Sequence, residues 1–173
     1  MTRSGARLPA EQQLAALAEL GALLDRGGFE NWLFGGWAVD FHVGAVTREH
    51  DDIDLAVWAR DAEALGLLLQ QEGWRHEPEP GEDGGTGYTR GGVRVELTYL
   101  VRDDAGRILI PLRDQNVLWS EQPLGDEVRE LQGVRARLLT LAVLRADKSS
   151  PRDDPGDAAK DRADFRALSR LTP

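Results

Sequence analysis

Residues 32–58 read WLFGGWAVDFHVGAVTREHDDIDLAVW, and this stretch decides the fold. A short apolar run at residues 32–34 is closed by two glycines, and residues 37–43 are apolar enough for a helix of about two turns. Residues 52–58 then alternate between polar and apolar side chains, which is typical of a strand. The stretch therefore predicts a strand, a tight glycine turn and a helix, followed by a second strand.

The rest of the chain mixes helices and strands without regular alternation. Four further helices are predicted, over residues 9–26, 61–72, 138–147 and 157–170. Three further strands are predicted, over residues 93–101, 107–112 and 128–136. The first two of these strands flank a turn and resemble an antiparallel hairpin, whereas residues 77–92 are rich in Gly, Pro and acid and predict a mobile loop with a short strand at 87–90.

These elements predict an α+β fold, in which a mixed sheet is flanked by helices and followed by C-terminal helices. A length of 173 residues fits one domain, so we expect a single domain over residues 1–173. Its core is expected at about residues 28–113, and a C-terminal strand and helices at about residues 127–171. A monomer or a homodimer is expected.

Composition narrows the choice of function. The chain has 21 Lys and Arg residues and 30 Asp and Glu residues, which gives a formal net charge of -9. This charge disfavours a nucleic-acid partner and suits a cationic ligand. The absence of cysteine excludes thiolate zinc sites and cysteine nucleophiles. Residues 1–8 are short and polar, and the Leu/Ala segment after them is interrupted by polar residues, so we expect no signal peptide, no membrane span and a cytoplasmic protein.

The main chemical signal is a set of acidic residues on two predicted strands. Asp52 and Asp54 point to the same side of one strand, about 7 Å apart at the backbone, and Glu96 lies on the polar face of the other. If the strands are neighbours, three carboxylates meet and could hold two divalent ions that clamp a phosphoryl group. Oxygen ligands favour Mg²⁺, with Mn²⁺ as a second choice. An Asp-x-Asp pair alone is more often the polar face of an amphipathic strand.

A glycine pair strengthens the phosphate interpretation. Gly35 and Gly36 end a predicted strand and begin a helix, sixteen positions before Asp52. A helix N-terminus offers free backbone N–H groups and a positive dipole end to phosphate oxygens. An ordinary turn is the alternative explanation of the pair.

The combined motif resembles the signature of the polymerase-beta-like nucleotidyltransferase superfamily, and most of all the small aminoglycoside and lincosamide nucleotidyltransferases. Their pattern runs GGW, a small residue, one more position, Asp, and then Thr-Arg-x-His-x-Asp-Ile-Asp. The match is close over about the first third of the chain, and the order of elements is similar over nearly all of it. The resemblance implies that Gly35 and Gly36 approach a triphosphate, that Asp52 and Asp54 bind Mg²⁺, and that Glu96 is the third acid.

The resemblance extends to a possible base and to basic residues. Glu96 stands where many relatives have Asp, and the resemblance implies that this third acid also accepts the proton of the acceptor hydroxyl. Arg48 matches the motif arginine, which contacts phosphate or alternatively forms a salt bridge with Asp51 or Asp40. Asp40 and His50 are expected to be supporting or structural groups.

Two lysines near the C-terminus are candidates for binding the β and γ phosphates. Lys148 follows an apolar helix, and Lys160 begins a sequence that resembles the Lys-Asp-x-x-Asp helix of the family. The alternative is ion pairing on a solvated helix, with Lys160 and Asp164 four residues apart.

The function implied is transfer of AMP from ATP to a hydroxyl of a small acceptor, with an aminoglycoside-type antibiotic as the first choice. The acid-rich residues 77–83 could meet a polycationic acceptor, or could be a solvated loop. Three alternatives stay open: a lincosamide or other neutral acceptor, a protein side chain as in toxin-antitoxin pairs, and a noncatalytic nucleotide-binding module.

Overall fold

The structure is a computed structural model that describes residues 8–171. Residues 1–7 lie outside the described residues. The expectation that the chain starts without a signal peptide concerns mainly these residues. The described residues form five α-helices: α1 (Ala10–Gly27), α2 (Gly35–Val43), α3 (Ala62–Gln71), α4 (Leu141–Ser149) and α5 (Pro155–Ser169). They also form nine strands: β1 (Asn31–Phe34), β2 (Ile53–Trp58), β3 (Arg75–His76), β4 (Gly85–Arg90), β5 (Val93–Arg102), β6 (Ile108–Pro111), β7 (Asn116–Leu118), β8 (Leu124–Leu131) and β9 (Val134–Leu139). None of the helices in residues 8–171 combines the length and the hydropathy needed to span a lipid bilayer.

The strands join into one mixed sheet. Seven of them follow the order β3-β4-β5-β2-β1-β9-β8, and β6 and β7 extend from β5. Strand β2 lies at the centre, antiparallel to β1 and parallel to β5, while β1 is parallel to β9. This sheet and its five helices confirm the predicted α+β class.

The two faces of the sheet have different coverings. Leu17 of α1 and Leu55 of β2 line the same cavity, and an atom added to Gly66 of α3 would meet the Tyr88 hydroxyl. Helices α1 and α3 therefore cover the face that carries Leu55 and the paired residues Tyr88 and Val95. Side chains alternate along a strand, so Asp54, Ala56 and Trp58 point to the opposite face.

The predicted elements agree best with the structure in the first two thirds of the chain. Helix α1 matches the predicted helix, and β5 and β6 form the predicted antiparallel pair. Helix α2 begins at Gly35 itself, two residues earlier than predicted. In the predicted loop, β4 occupies residues 85–90 and is longer than the short strand expected there.

Two predictions about the C-terminal third are wrong. The strand predicted over residues 128–136 is two antiparallel strands, β8 and β9, which turn at Gln132 and Gly133 with φ angles of 51° and 81°. The helix predicted from residue 138 begins only at Leu141, because Leu138 and Leu139 complete β9 and are buried in the core. Periodicity cannot tell such a short apolar run in a strand from one in a helix.

Candidate functional site

The two acidic strands are neighbours, as the sequence interpretation required. The parallel register of β2 and β5 places Asp54 directly beside Glu96, and β1 places Phe34 beside Asp54 on the other side. Paired residues point to the same face of a sheet, so Phe34, Asp54 and Glu96 form one row. Asp52 precedes β2 by one residue. We refer to Asp52, Asp54 and Glu96 as the carboxylate cluster.

The glycine pair brings the start of α2 against this cluster. Gly35 has a φ of 66°, and a Cβ there would lie 2.0 Å from Asp54 Oδ2. A Cβ on Gly36 would lie 2.4 Å from Arg48 Nη2 and 2.5 Å from His50 Nδ1. No side chain caps the N-terminus of α2. Its free N–H groups therefore lie beside the carboxylates, in a position suited to an anion.

Asp52 and Asp54 are held as an unneutralised pair. Burial, then Asp52, then Glu96 raise the pKa of Asp54 well above its usual value, against the opposing charges of Lys148 and Arg152. Burial and then Asp51 raise the pKa of Asp52, against the charge of Lys160. Among residues 8–171, neither carboxylate accepts a hydrogen bond or forms an ion pair. A cation bound between them would relieve both the desolvation and the repulsion.

Glu96 differs from the two aspartates because it forms an ion pair with Arg94. Arg94 Nε donates to Glu96 Oε1, and Arg94 Nη1 donates to the backbone oxygen of Glu77 at 3.1 Å. Burial raises the pKa of Glu96, although the Arg94 hydrogen bond opposes this shift. In the described part of the chain, no three His, Asp or Glu side chains are already arranged to hold a metal ion. The Asp52–Asp54 pair is therefore open to a cation, whereas Glu96 would have to leave Arg94 to join it.

A cavity of about 200 Å³ adjoins the carboxylate cluster and carries the predicted basic residues. Arg48 forms a two-pronged ion pair with Asp164, at 2.7 and 2.8 Å. The alternative partners expected for Arg48, Asp51 and Asp40, are therefore wrong: helix α5 packs against α2 and brings Asp164 to the arginine instead.

The two lysines line the same cavity and are also paired with acids. Lys148 Nζ lies 3.0 Å from Asp161 Oδ1 and 2.9 Å from Asp164 Oδ2. Lys160 Nζ lies 2.6 Å from Asp51 Oδ2 and 3.2 Å from Asp157 Oδ1. The expected pairing of Lys160 with Asp164 is wrong, because Asp164 lies on the buried side of α5 and Lys160 is half-exposed.

A buried polar network reaches the cavity at His50, and the part that Gln13 plays in it was not predicted from the sequence. Gln13 of α1 donates to the backbone oxygen of His50 at 2.7 Å and accepts from Trp37 Nε1 at 2.9 Å. His50 Nε2 lies 2.6 Å from Asp40 Oδ2, and Asp40 Oδ1 also accepts from the Thr47 backbone and hydroxyl. Asp40 and His50 thus hold each other in place, and their expected supporting or structural role stays a prediction. The available signal was the polar Gln13 next to the apolar stripe of α1.

Known proteins are similar to this chain in sequence and in fold. A 2''-aminoglycoside nucleotidyltransferase of Klebsiella pneumoniae is 35% identical over 63 residues, which is 36% of this chain and 36% of that protein. The chain therefore matches about a third of the length of this curated relative. A relative of the same description from Escherichia coli is equally similar.

Solved structures resemble a larger part of the chain. Lincosamide antibiotic adenylyltransferase LnuA, bound to lincomycin, superimposes with a TM-score of 0.73 at 17% identity, over 96% of this chain and 99% of LnuA. ANT(2'')-Ia in complex with adenylyl-2''-tobramycin gives a TM-score of 0.69 at 21% identity, over 91% of this chain and 87% of that one. At these identities the likeness establishes the nucleotidyltransferase fold. Residues 16–165 match the family model of the aminoglycoside-2''-adenylyltransferases, and the chain belongs to this family.

Proposed function

We propose that this protein transfers AMP from ATP to a hydroxyl of an aminoglycoside-type acceptor. The observation that carries the proposal is the pair of carboxylates, Asp52 and Asp54, without hydrogen-bond partners in the described residues and beside the uncapped start of α2. The family and the curated relatives, named for 2''-aminoglycoside nucleotidyl transfer, support the reaction class. The cytoplasmic location and the monomeric or homodimeric state stay predictions.

The carboxylate cluster fits a hard divalent cation. Asp52 and Asp54 supply oxygen ligands, which Mg²⁺ and Mn²⁺ prefer, and the neighbouring cations Lys148 and Lys160 only partly offset their burial and repulsion. Two ions are proposed, and Glu96 would contribute to the second after exchanging its Arg94 contact. When bound, such ions neutralise charge on the triphosphate and on the leaving pyrophosphate.

The residues of the chain would bind and orient the triphosphate. Gly35 and Gly36 lie at the N-terminus of α2, which no side chain caps, and their backbone N–H groups would bind phosphate oxygens. Arg48, Lys148 and Lys160 line or border the same cavity and would exchange their carboxylate partners for phosphate oxygens. This exchange keeps each cation paired but leaves Asp164, which is 1% exposed, without its counterions, so it has an energetic cost.

The reaction is an in-line displacement. The acceptor hydroxyl oxygen forms a bond to the α phosphorus while the bond from that phosphorus to the bridging oxygen breaks, and pyrophosphate leaves with the bridging electrons. The hydroxyl proton passes to the Glu96 carboxylate, which lies in the same row as Asp54. Burial raises the pKa of Glu96, which favours proton uptake while its carboxylate is not bound to a cation. No covalent intermediate with the enzyme is required.

The expected acceptor is a polycation. The formal net charge of -9 attracts cationic molecules, and Glu82 in the acidic loop is close enough to raise the pKa of Glu96. A lincosamide is the second candidate, because LnuA shares the fold over almost its whole length.

The test is to incubate the protein with ATP, Mg²⁺ and either tobramycin or lincomycin, and to detect the adenylylated product by mass spectrometry. Asp54→Asn should lower transfer by at least about a hundredfold. It should also raise the thermal midpoint at neutral pH, because it removes a charge that burial and Asp52 destabilise. Asp114→Asn, an exposed change outside the cavity, is the control. Transfer by Asp54→Asn at the wild-type rate would contradict the proposal.

A further inference from the structure

A second cavity opens on the face of the sheet that carries the carboxylate cluster. It has a volume of about 530 Å³, and Trp32 and Trp58 belong to its lining. Trp58 follows Asp54 by four residues on β2, and Trp32 pairs with Ala56 of the same strand. At a rise of about 3.3 Å per residue, the two indoles lie about 7 to 13 Å along the sheet from Asp54.

One segment of the chain connects this cavity to the carboxylate cluster. The Trp119 and Phe34 rings pack edge-on, with 5.0 Å between their centres. Phe34 pairs with Asp54 across β1 and β2. The residues that follow, from Glu121 to Leu124, line the cavity. The backbone oxygen of Pro123 accepts a hydrogen bond from Thr140 N at 2.9 Å, which fixes this wall in place.

The rim of the cavity carries two carboxylates without partners. Glu121 and Asp126 are exposed, and neither forms a hydrogen bond or an ion pair with another residue in the range 8–171. Glu30, which also lines the cavity, is different: it accepts from Trp58 Nε1 at 2.8 Å and lies 3.9 Å from Arg137. The unpaired rim charges are therefore available to a cationic ligand.

The indoles of the cavity already interact with cations. The guanidinium carbon of Arg102 lies 5.5 Å from the Trp58 ring centre, and that of Arg137 lies 5.7 Å from the Trp32 ring centre. Both arginines are exposed and line the cavity, where Arg102 Nη1 donates to the backbone oxygen of Gly106 at 3.1 Å. The guanidinium carbon of Arg60 also lies 4.9 Å from the Trp58 ring centre. An ammonium group of a ligand would take a position over an indole by displacing one of these guanidinium groups.

We propose that this cavity is the subsite for a distal amino-sugar ring of the acceptor. The ring takes the places of the Arg102 and Arg137 guanidinium groups beside Trp58 and Trp32, which are 5% and 4% exposed, and Glu121 and Asp126 bind its ammonium groups. The inference rests on the proposed function, because it places the reacting hydroxyl of the same molecule at the carboxylate cluster. A multi-ring aminoglycoside is long enough to occupy both places, whereas a single-ring acceptor would reach only one.

The experiment measures tobramycin affinity by titration calorimetry in Glu121→Gln, Asp126→Asn and the double variant. Each single change should weaken binding about two- to fivefold and the double change about tenfold, as expected for exposed ion pairs. The acceptor KM should rise by the same factor in a pyrophosphate-release assay, and the KM for ATP should not change.

The matched control is Glu63→Gln/Glu72→Gln. It removes the same net charge from exposed positions at the two ends of α3, away from the cavity. Tobramycin affinity should stay at the wild-type value. An equal loss in the control would overturn the subsite, because long-range attraction by net charge would then explain both results.

The outcomes separate the subsite from the proposed function. If the wild type adenylylates tobramycin and the double variant binds it as tightly as the wild type, the subsite is wrong and the function stands. If no AMP is transferred to any acceptor, the proposed function falls, and the affinity comparison still decides the subsite. A wild type that binds no tobramycin would overturn the subsite directly.

Discussion

Asp164 should contribute more stability than any surface ion pair near the cavity. Its side chain is 1% exposed and contacts Arg48 and Lys148, whose side chains are 19% and 8% exposed. Asp164→Asn keeps the shape but leaves both cations short of a counterion. Removing one partner of a buried pair costs about 3–5 kcal/mol. Because Lys148 keeps Asp161 at 3.0 Å, we expect a loss near 3 kcal/mol.

Thermal unfolding measures this loss. For a domain of this size, 1 kcal/mol lowers Tm by about 2–4 °C, so Asp164→Asn should lower Tm by roughly 6–12 °C. The control is Asp157→Asn on the same helix, which is 52% exposed and pairs with Lys160. A surface pair contributes less than about 1 kcal/mol, so Tm should change little in this variant. Equal Tm shifts in the two variants would refute the reasoning.

The contacts of Asp164 with Arg48 and Lys148 also predict that stability depends on pH. Burial raises the pKa of Asp164, but the hydrogen bonds from Arg48 and Lys148 outweigh it and leave the pKa lowered. The folded protein therefore binds this proton less tightly than the unfolded chain does. The stabilisation is complete above the unfolded pKa, near 3.9, and is lost as pH falls through the lower folded value. The Tm difference between wild type and Asp164→Asn should shrink below about pH 4, and a constant difference would contradict this assignment.

Two further substitutions test the packing around the site. Gly35→Ala should greatly impair both folding and transfer, because its Cβ would lie 2.0 Å from Asp54 Oδ2. Gly28→Ala is the control, because a Cβ there meets open space. It should reduce the free energy of unfolding by about 1–2 kcal/mol, which is the cost of the left-handed backbone. Equal losses of thermal stability in the two alanine variants would show that the contact with Asp54 is unimportant. Gln13→Leu leaves a buried indole N–H and a buried backbone oxygen without a partner, and should cost about 1–3 kcal/mol for each. Urea unfolding measures this loss, with the exposed neighbour changed in Gln12→Leu as a control expected to stay within about 0.5 kcal/mol.

The sequence predicts those elements whose periodicity is long and unambiguous. Strands β2 and β5 alternate clearly, and α1 carries leucines at helical spacing over 18 residues. The turn between β8 and β9 escapes prediction because Gln132 adopts a positive φ, where hairpins usually place Asn, Asp or Gly. The next two apolar residues, Leu138 and Leu139, then suit a strand and a helix equally.

In the site too, local sequence patterns predict some residue positions, whereas contacts between residues far apart in the chain are not predicted. The positions of Asp52, Asp54 and Gly35 follow from alternation and a turn, since each relation spans a few residues or two adjacent strands. The ion pairs of Arg48 with Asp164 and of Lys160 with Asp51 join residues 116 and 109 positions apart, so no local pattern could predict them.

The spacing of residues along α5 nevertheless predicts the acidic partner in the first of these ion pairs. Asp161, Asp164 and Leu168 are three and four residues apart, share one side of α5 and are all buried. The spacing indicates that two acids face inward with an apolar residue, and buried acids require cationic partners. Only the packing of α5 against α2 and α4 decides that these partners are Arg48 and Lys148. A triphosphate bound in this cavity would therefore compete with α5 for the same cations, so phosphate affinity should depend on a helix that shares no sequence motif with the glycine turn.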